Sequence, residues 1–161
     1  MPNTKTTYAP AIDPTVAAGS AQFLTPVVHG LQALAVNGKQ AHWNVHGTNF
    51  IAIHELLDSV VAHAQGWADD AAERVVALGL PIDARVATVA EKAAPTNVDA
   101  GFAQWEDTVR AVVADIDKVS ADVQTAIDGL DEIDLTSQDI AIAIKAGLDK
   151  DRWFLVAHLA E

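Results

Sequence analysis

The sequence predicts an all-α protein, a four-helix bundle with a long crossover between its second and third helices. Three observations support this prediction. Apolar residues recur at helical spacing in four long stretches, and almost no stretch alternates as a strand would. The connection from Leu80 to Asn97 is long enough to cross a bundle. With 161 residues, the chain is most simply a single domain.

The first half of the chain predicts an arm and two helices. Residues 1–18 are polar and interrupted by prolines, which predicts a mobile N-terminal arm and a bundle domain over residues 19–161. Apolar spacing predicts the first helix from about residue 21 to 45, ended by Gly47. The second helix is predicted from about residue 50 to 78, where a glycine and a proline form a stop signal.

The second half predicts a short extra helix and two long ones. The crossover carries the short helix, predicted over residues 86–93. The third long helix is predicted over residues 98–127, with Phe102 opening its apolar stripe. An acidic segment follows at residues 128–134. A capping box at Thr136 then predicts the fourth helix over residues 136–160.

Composition narrows the possible chemistry. Half of the residues are apolar, which is enough for a sizeable core, and the formal net charge is −12. The chain has no cysteine, so a metal site would have to use histidine and carboxylate ligands. It shows neither a signal-peptide pattern nor an apolar run long enough for a membrane span. We therefore expect a cytoplasmic protein that does not enter a membrane, with association to the nucleoid left open.

Potential metal ligands concentrate in and just before the second helix. His54 with Asp58, and Asp69 with Glu73, are each spaced four residues apart, so each pair shares one helical face. His42 lies at the end of the first helix. His54 and Glu73 are separated by about 28 Å at a rise of ~1.5 Å per residue, so one helix cannot bring these side chains together.

An antiparallel copy of the helix would join the two pairs. The sums 54 + 73 and 58 + 69 are equal, so a two-fold axis near residues 63–64 places His54 opposite Glu73 of the partner subunit. The same axis places Asp58 opposite Asp69 of the partner subunit. Two equivalent ligand clusters would then form across one isologous dimer contact.

Local motifs of other metal enzymes do not explain these ligands. The stretch from His54 to Asp58 falls one residue short of the zinc-protease motif HExxH. The Glu-x-x-His motif of di-iron bundles is missing from the chain, which disfavours a site inside one subunit. The ligand face of the helix also holds apolar residues, which predicts a second packing partner beside the bundle itself.

The motifs resemble those of one known family. K-Q-x-H-W-N-V-x-G-x-x-F-x-x-x-H-x-x-x-D covers residues 39–58, D-x-x-x-E-R covers residues 69–74, and D-K-x-x-W-F covers residues 149–154. Together they are similar to the Dps proteins, the mini-ferritins named as DNA-binding proteins of starved cells. The resemblance extends over nearly the whole chain.

The resemblance implies a ferritin-like bundle assembled as a hollow homo-dodecamer built from two-fold dimers. It implies that Fe²⁺ is oxidised, preferably by H₂O₂, and that Fe³⁺ is stored inside the shell. Other divalent metals remain open as occupants. The family's ligands carry over as His42, His54 and Asp58 from one subunit, with Asp69 and Glu73 from its neighbour. Two such sites are implied at each two-fold contact.

The resemblance also suggests roles for nearby residues. Trp43 matches the family's site tryptophan, which can accept a stray oxidising equivalent, although simple packing is the alternative explanation. Lys39 and Arg74 are expected to supply nearby charge and salt bridges rather than to bind metal. The histidines outside the motif are read as structural or exposed; they are His29, His46, His63 and His158.

The acidic segment has a plain explanation and a functional one. It can be a solvated loop, or it can line one of the acidic three-fold pores through which the family admits iron. Asp139 lies where the resemblance implies a pore carboxylate. Asp131, Glu132 and Asp134 are further candidates.

DNA binding is where the sequence departs from the family pattern. The N-terminal arm contains a single basic residue, Lys5, and no basic stretch follows the last helix. Affinity for DNA requires phosphate neutralisation, so we predict weak or no DNA binding near neutral pH. Two alternative functions stay open at this stage. One is a metal-dependent hydrolase of amide or ester bonds that uses the same ligands. The other is a DNA-compacting stress protein.

Overall fold

The predicted bundle is confirmed by a computed structural model, which describes residues 12–160. The elements in chain order are as follows: α1 Pro14–Asn44, β1 Val45–His46, α2 Phe50–Ala77, α3 Val86–Lys92, β2 Ala103–Gln104, α4 Trp105–Leu130 and α5 Leu135–Ala157. Helices α1, α2, α4 and α5 form the bundle, and the short α3 lies on the crossover, where the sequence predicts it. In the described residues, no helix is long and apolar enough to cross a membrane.

The first helix begins earlier than predicted, which corrects the predicted end of the arm at residue 18. Helix α1 begins at Pro14, and the Asp13 side chain caps it by accepting a hydrogen bond from the Thr15 amide at 2.8 Å. Proline in the first turn costs no hydrogen bond, since the amides there have no partner inside the helix. Residues 1–11 of the predicted arm lie outside the described residues.

The third long helix begins later than predicted. Helix α4 begins at Trp105, because residues 103–104 pair in parallel with Val45 and His46 instead of turning into a helix. Phe102 was wrongly predicted as part of the core stripe. Its side chain is exposed and stacks on His46, with ring centroids 4.3 Å apart.

The last helix has a different cap from the predicted one. Thr136 lies inside α5, and the cap is Asp134, whose carboxylate accepts a hydrogen bond from the Thr136 amide at 3.2 Å. Asp and Thr are both good caps, so the local sequence alone does not decide between them.

The core stripe of α2 agrees with the helical spacing. Buried residues on this helix are Ile53, Leu57, Val60, Val61, Ala64, Ala68, Ala71 and Val75. By helical spacing, Val61 is one of the apolar residues on the outer, ligand-bearing face, but it is 5% exposed, because Gly38 of α1 leaves space for it. The opposite face of α2 stays exposed and carries the predicted carboxylates.

Helix α5 approaches α2 closely at a glycine. A Cβ atom added to Gly147 would lie 2.1 Å from Cζ2 of the Trp67 side chain, well inside van der Waals contact. The indole ring therefore occupies the place that a side chain at position 147 would need. This contact helps to set the distance between α5 and the helix that carries the ligands.

Gly147→Ala is expected to lower the free energy of unfolding by about 2 kcal/mol, because overpacking outweighs the gain of about 1 kcal/mol in helix propensity. Ala146→Gly, at the exposed neighbouring position, is the control and should cost only about 1 kcal/mol. Urea unfolding followed by tryptophan fluorescence measures both. A stabilised Gly147→Ala variant would contradict the close packing.

Candidate metal centre

Two predicted ligands lie side by side where α1 ends and α2 begins. The rings of His42 and His54 stack with centroids 3.6 Å apart and an interplanar angle of 22°. Nδ1 of His42 donates to the backbone carbonyl of His54 at 2.8 Å, and Nδ1 of His54 donates to the carbonyl of His42 at 2.9 Å. A carbonyl can only accept, so both Nδ1 atoms carry protons.

This reciprocal pair of hydrogen bonds determines what the two rings can do. With Nδ1 protonated, each neutral imidazole has its lone pair on Nε2, which is the atom free to bind a metal ion. Metal-binding histidines commonly have the other ring nitrogen bonded to a carbonyl or carboxylate, which orients the ring. The backbone of each helix thus orients the ring of the other.

Asp58 lies beside this histidine pair. Its carboxylate accepts a hydrogen bond from Lys39 at 2.5 Å, and Nδ1 of His42 lies 3.3 Å from the same oxygen. The hydrogen bond from Lys39, and then the nearby His42, keep the pKa of Asp58 below its usual range. Asp58 is therefore ionised at neutral pH and can serve as a ligand. Lys39 has the charge-pairing role that the sequence predicts.

Replacing Lys39 with methionine should raise the pKa of Asp58 towards its ordinary value. The carboxylate would then take up a proton at a higher pH than in the unsubstituted protein, because the ammonium group no longer favours the ionised form. An NMR titration of the Asp58 carboxyl carbon in metal-free protein measures the change. Arg85→Met, which removes an exposed charge paired with Asp83, is the control and should leave Asp58 unchanged.

The other two predicted ligands lie far from this group. Asp69 and Glu73 are exposed on α2, and neither side chain makes a hydrogen bond or ion pair to any residue in the range 12–160. Asp58 and Asp69 are separated by about 16 Å along the helix at ~1.5 Å per residue. Within the described part of a single chain, no three histidine or carboxylate side chains form a group that could hold a metal ion. The set thus divides into three ligands and two.

Arg74, the residue after Glu73, connects α2 to the start of α5. Its guanidinium donates to Asp134 at 2.7 Å and to the Ser137 hydroxyl at 3.0 Å. Burial raises the pKa of Asp134, but hydrogen bonds from Arg74 and Ser137 outweigh that effect, so the pKa is lowered. Arg74 therefore makes the salt bridge that its position predicts.

The same network changes the interpretation of one pore candidate. Asp134 caps α5 and pairs with Arg74, and its side chain is only 9% exposed, so it is committed to the fold and is a poor candidate for a pore-lining carboxylate. Asp131, Glu132 and Asp139 are exposed around the turn between α4 and α5. These three stay candidates, because a pore between subunits requires further copies of the chain.

The surroundings of Trp43 and His63 bear on the roles that the sequence suggests for them. Trp43 is 65% exposed in the single chain, so packing within the chain does not account for it. His63 of α2 lies with Nδ1 3.0 Å from the carboxylate of the buried Asp151 on α5. The sequence suggests a structural or exposed role for His63, but it does not point to Asp151, because nothing in the spacing distinguishes that aspartate from its exposed neighbours.

Comparisons with known proteins indicate the same family that the sequence motifs resemble. The ferritin-like domain family matches residues 22–161. A protein of Agrobacterium fabrum named DNA protection during starvation protein is 40% identical over 133 residues, covering 80% of each chain. The protein of that name from Mycolicibacterium smegmatis is 39% identical over 126 residues, which cover 75% of this chain and 66% of that protein.

Solved structures agree over almost the whole chain. The structure of Dps from Microbacterium arborescens in the high iron form superposes with a TM-score of 0.93 at 73% identity, covering 95% of this chain and 100% of that one. Dps from Mycobacterium smegmatis superposes with a TM-score of 0.88 at 30% identity, covering 94% of this chain and 93% of that one.

Proposed function

This chain belongs to the Dps family of ferritin-like proteins, and from that premise we propose that it is a ferroxidase that oxidises Fe²⁺ and stores Fe³⁺. The observation that carries the proposal is the division of the candidate ligands along one face of α2. His54 and Asp58 lie towards one end of this face, with His42 of α1 beside them. Asp69 and Glu73 lie exposed towards the other end, symmetric with the first group about residues 63–64.

Each site forms when the exposed faces of two α2 helices meet. Nε2 of His42 and of His54 and the carboxylate of Asp58 bind Fe²⁺ from one side, and Asp69 and Glu73 of the partner subunit bind from the other. Histidine with carboxylates suits iron, and the carboxylates stabilise the higher charge of Fe³⁺. Two equivalent sites result at each two-fold contact.

The proposed reaction transfers two electrons from two Fe²⁺ ions to one H₂O₂. The O–O bond breaks, two protons are taken up, and the products are two Fe³⁺ ions and two waters, so no hydroxyl radical is released. Trp43 is adjacent to His42 and largely exposed in the single chain. We propose that it donates an electron to any single oxidising equivalent that escapes this reaction. The high-iron form of the Microbacterium arborescens relative supports iron as the substrate.

The dimers are proposed to assemble into a hollow homo-dodecamer that holds the Fe³⁺ mineral. The net charge of −12 favours entry of divalent cations and gives the acidic surface a use. Asp139, Asp131 and Glu132, exposed around the turn between α4 and α5, are the proposed pore carboxylates.

Several relatives are named for the protection of DNA. We propose that this protein would protect DNA by removing iron and peroxide in the cytoplasm. The acidic chain and the single basic residue in its first eighteen, Lys5, disfavour tight binding to phosphate backbones. Hydrolysis of amide or ester bonds at the same metal site has no observation in its favour.

Anaerobic addition of Fe²⁺ followed by H₂O₂ tests the proposal. Fe³⁺ absorbance should rise rapidly, with about two Fe²⁺ consumed per peroxide, whereas Asp58→Ala should oxidise iron at least about 100-fold more slowly, beyond the usual effect of residues that only support ligands. The control is Asp149→Ala, which removes an exposed carboxylate paired with Lys145 on α5. Equal rates in the Asp58→Ala variant and the unsubstituted protein would overturn the site.

A further inference from the structure

Helix α2 carries two large apolar side chains that are exposed in the single chain. Ile51 is 61% exposed and Val76 is 46% exposed. Ile51 precedes His54 by three residues, and Val76 follows Glu73 by three residues, so each lies about one turn beyond a ligand on the same helical face. Their numbers sum to 127, as do the numbers of the ligand pairs 54 with 73 and 58 with 69.

We infer that Ile51 of one subunit and Val76 of the other pack together as an apolar lid over the outer end of each metal site. The inference rests on the proposed function, because the same two-fold axis builds both the site and the lid. A second copy of the chain is the occupant, since only an antiparallel α2 brings the two exposed apolar residues into contact along with the ligands.

In this antiparallel register, side chains of opposite charge come together along the ligand-bearing face of α2. Lys39 donates a hydrogen bond to Asp58, and the register places it near Asp69 of the partner subunit. This aspartate has no cationic partner within residues 12–160 of its own chain. Near the two-fold axis, Ala62 lies opposite Gln65 of the partner subunit. The small side chain of Ala62 allows the two helices to approach closely. The pair of Ile51 and Val76 therefore forms an apolar contact at each end of the ligand-bearing face, and the ligands lie between these two contacts.

The lid has a chemical consequence for the site. An apolar layer limits the access of water, and the hydrophobic shell around a metal site influences how strongly the ligands hold the ion. An ion bound beneath the lid loses the route by which water would replace its ligands from the outer end. The lid should therefore slow release of the ion, without supplying any ligand itself.

Cross-linking tests the geometry, and the absence of native cysteine makes it clean. The double variant Ile51→Cys/Val76→Cys should form disulfide-linked dimers on mild oxidation, since facing residues can reach disulfide distance. Ala62→Cys/Gln65→Cys probes the same axis near its centre and should also cross-link. Ile51→Cys alone is the control and should stay monomeric under denaturing, non-reducing conditions, because the two copies of position 51 lie about 37 Å apart along the helices at ~1.5 Å per residue.

Cobalt binding tests the consequence. Ile51→Ser and Val76→Ser should each raise the Kd for Co²⁺ by about tenfold, and the double variant should be little worse than either, because each change alone opens the lid. Ile142→Ser, at an isoleucine that is 46% exposed on α5, is the matched control and should bind Co²⁺ normally.

The outcomes separate the lid from the proposed function. Cross-linking at 62/65 without cross-linking at 51/76, or an unchanged Kd in both serine variants, would overturn the lid and leave the shared site standing. If neither in-register pair cross-links and the unsubstituted protein binds no Co²⁺, the shared site itself is wrong and the lid falls with it.

Discussion

Subunits carrying His54→Ala and subunits carrying Glu73→Ala are each expected to be inactive alone and to recover about a quarter of the ferroxidase activity when co-assembled in equal amounts. Half of the dimers in such a mixture are mixed. In a mixed dimer one site contains both substitutions, whereas the other contains neither. The expected recovery follows from the proposed division of the ligands between two chains; within the described residues of one chain, the histidine pair joins neither Asp69 nor Glu73 in a metal-holding group.

The control for this experiment is a mixture of His54→Ala with Asp58→Ala subunits. Both substitutions affect the same half of a site, so every site in every dimer keeps one lesion and activity should stay at the level of the single variants. Stopped-flow measurement of Fe³⁺ formation after refolding the mixtures together reads out both cases. Recovery in the control mixture, or none in the first, would contradict a site shared between subunits.

Arg74→Ala is expected to lower the free energy of unfolding by about 2 kcal/mol. The change leaves the carboxylate of Asp134 largely buried without its cation, and breaking a fully buried pair costs about 3–5 kcal/mol. The value is lower here because the Arg74 side chain is 20% exposed and the hydroxyl of Ser137 still donates to Asp134 at 2.5 Å. Thermal and urea unfolding at neutral pH measure the loss.

The pH dependence of this loss has a definite sign. The folded protein holds the pKa of Asp134 below its unfolded value, so the network contributes stability at neutral pH and loses it as the pH falls below about 4. The difference between Arg74→Ala and the unsubstituted protein should therefore shrink in acid. Arg152→Ala removes an exposed pair with Asp117 and should cost less than about 0.5 kcal/mol at any pH. Equal losses in the two variants would refute the role of burial.

The boundaries of the helices show where local patterns stop being informative. The spacing of apolar residues located the bundle helices and the short α3, because burial of one face imposes the helical period. The start of α4 was not predictable in this way. Residues before Trp105 pair with β1, a contact between segments far apart in the chain, and Phe102 leaves the core as a result. Similarly, Asp134 is the cap of α5 because Arg74 and Ser137 surround its carboxylate.

What the sequence determined by itself is the set of candidate ligands and the symmetry of their spacing. Positions four residues apart share a helical face whatever the helix packs against, so the spacing of His54, Asp58, Asp69 and Glu73 predicted two half-sites before any contact was known. Only the tertiary structure decided the state of the ligands. The packing of α1 against α2 places each histidine ring at the other's carbonyl and Lys39 at Asp58, and hydrogen bonds of this kind depend on distances across the bundle that helical periodicity does not contain.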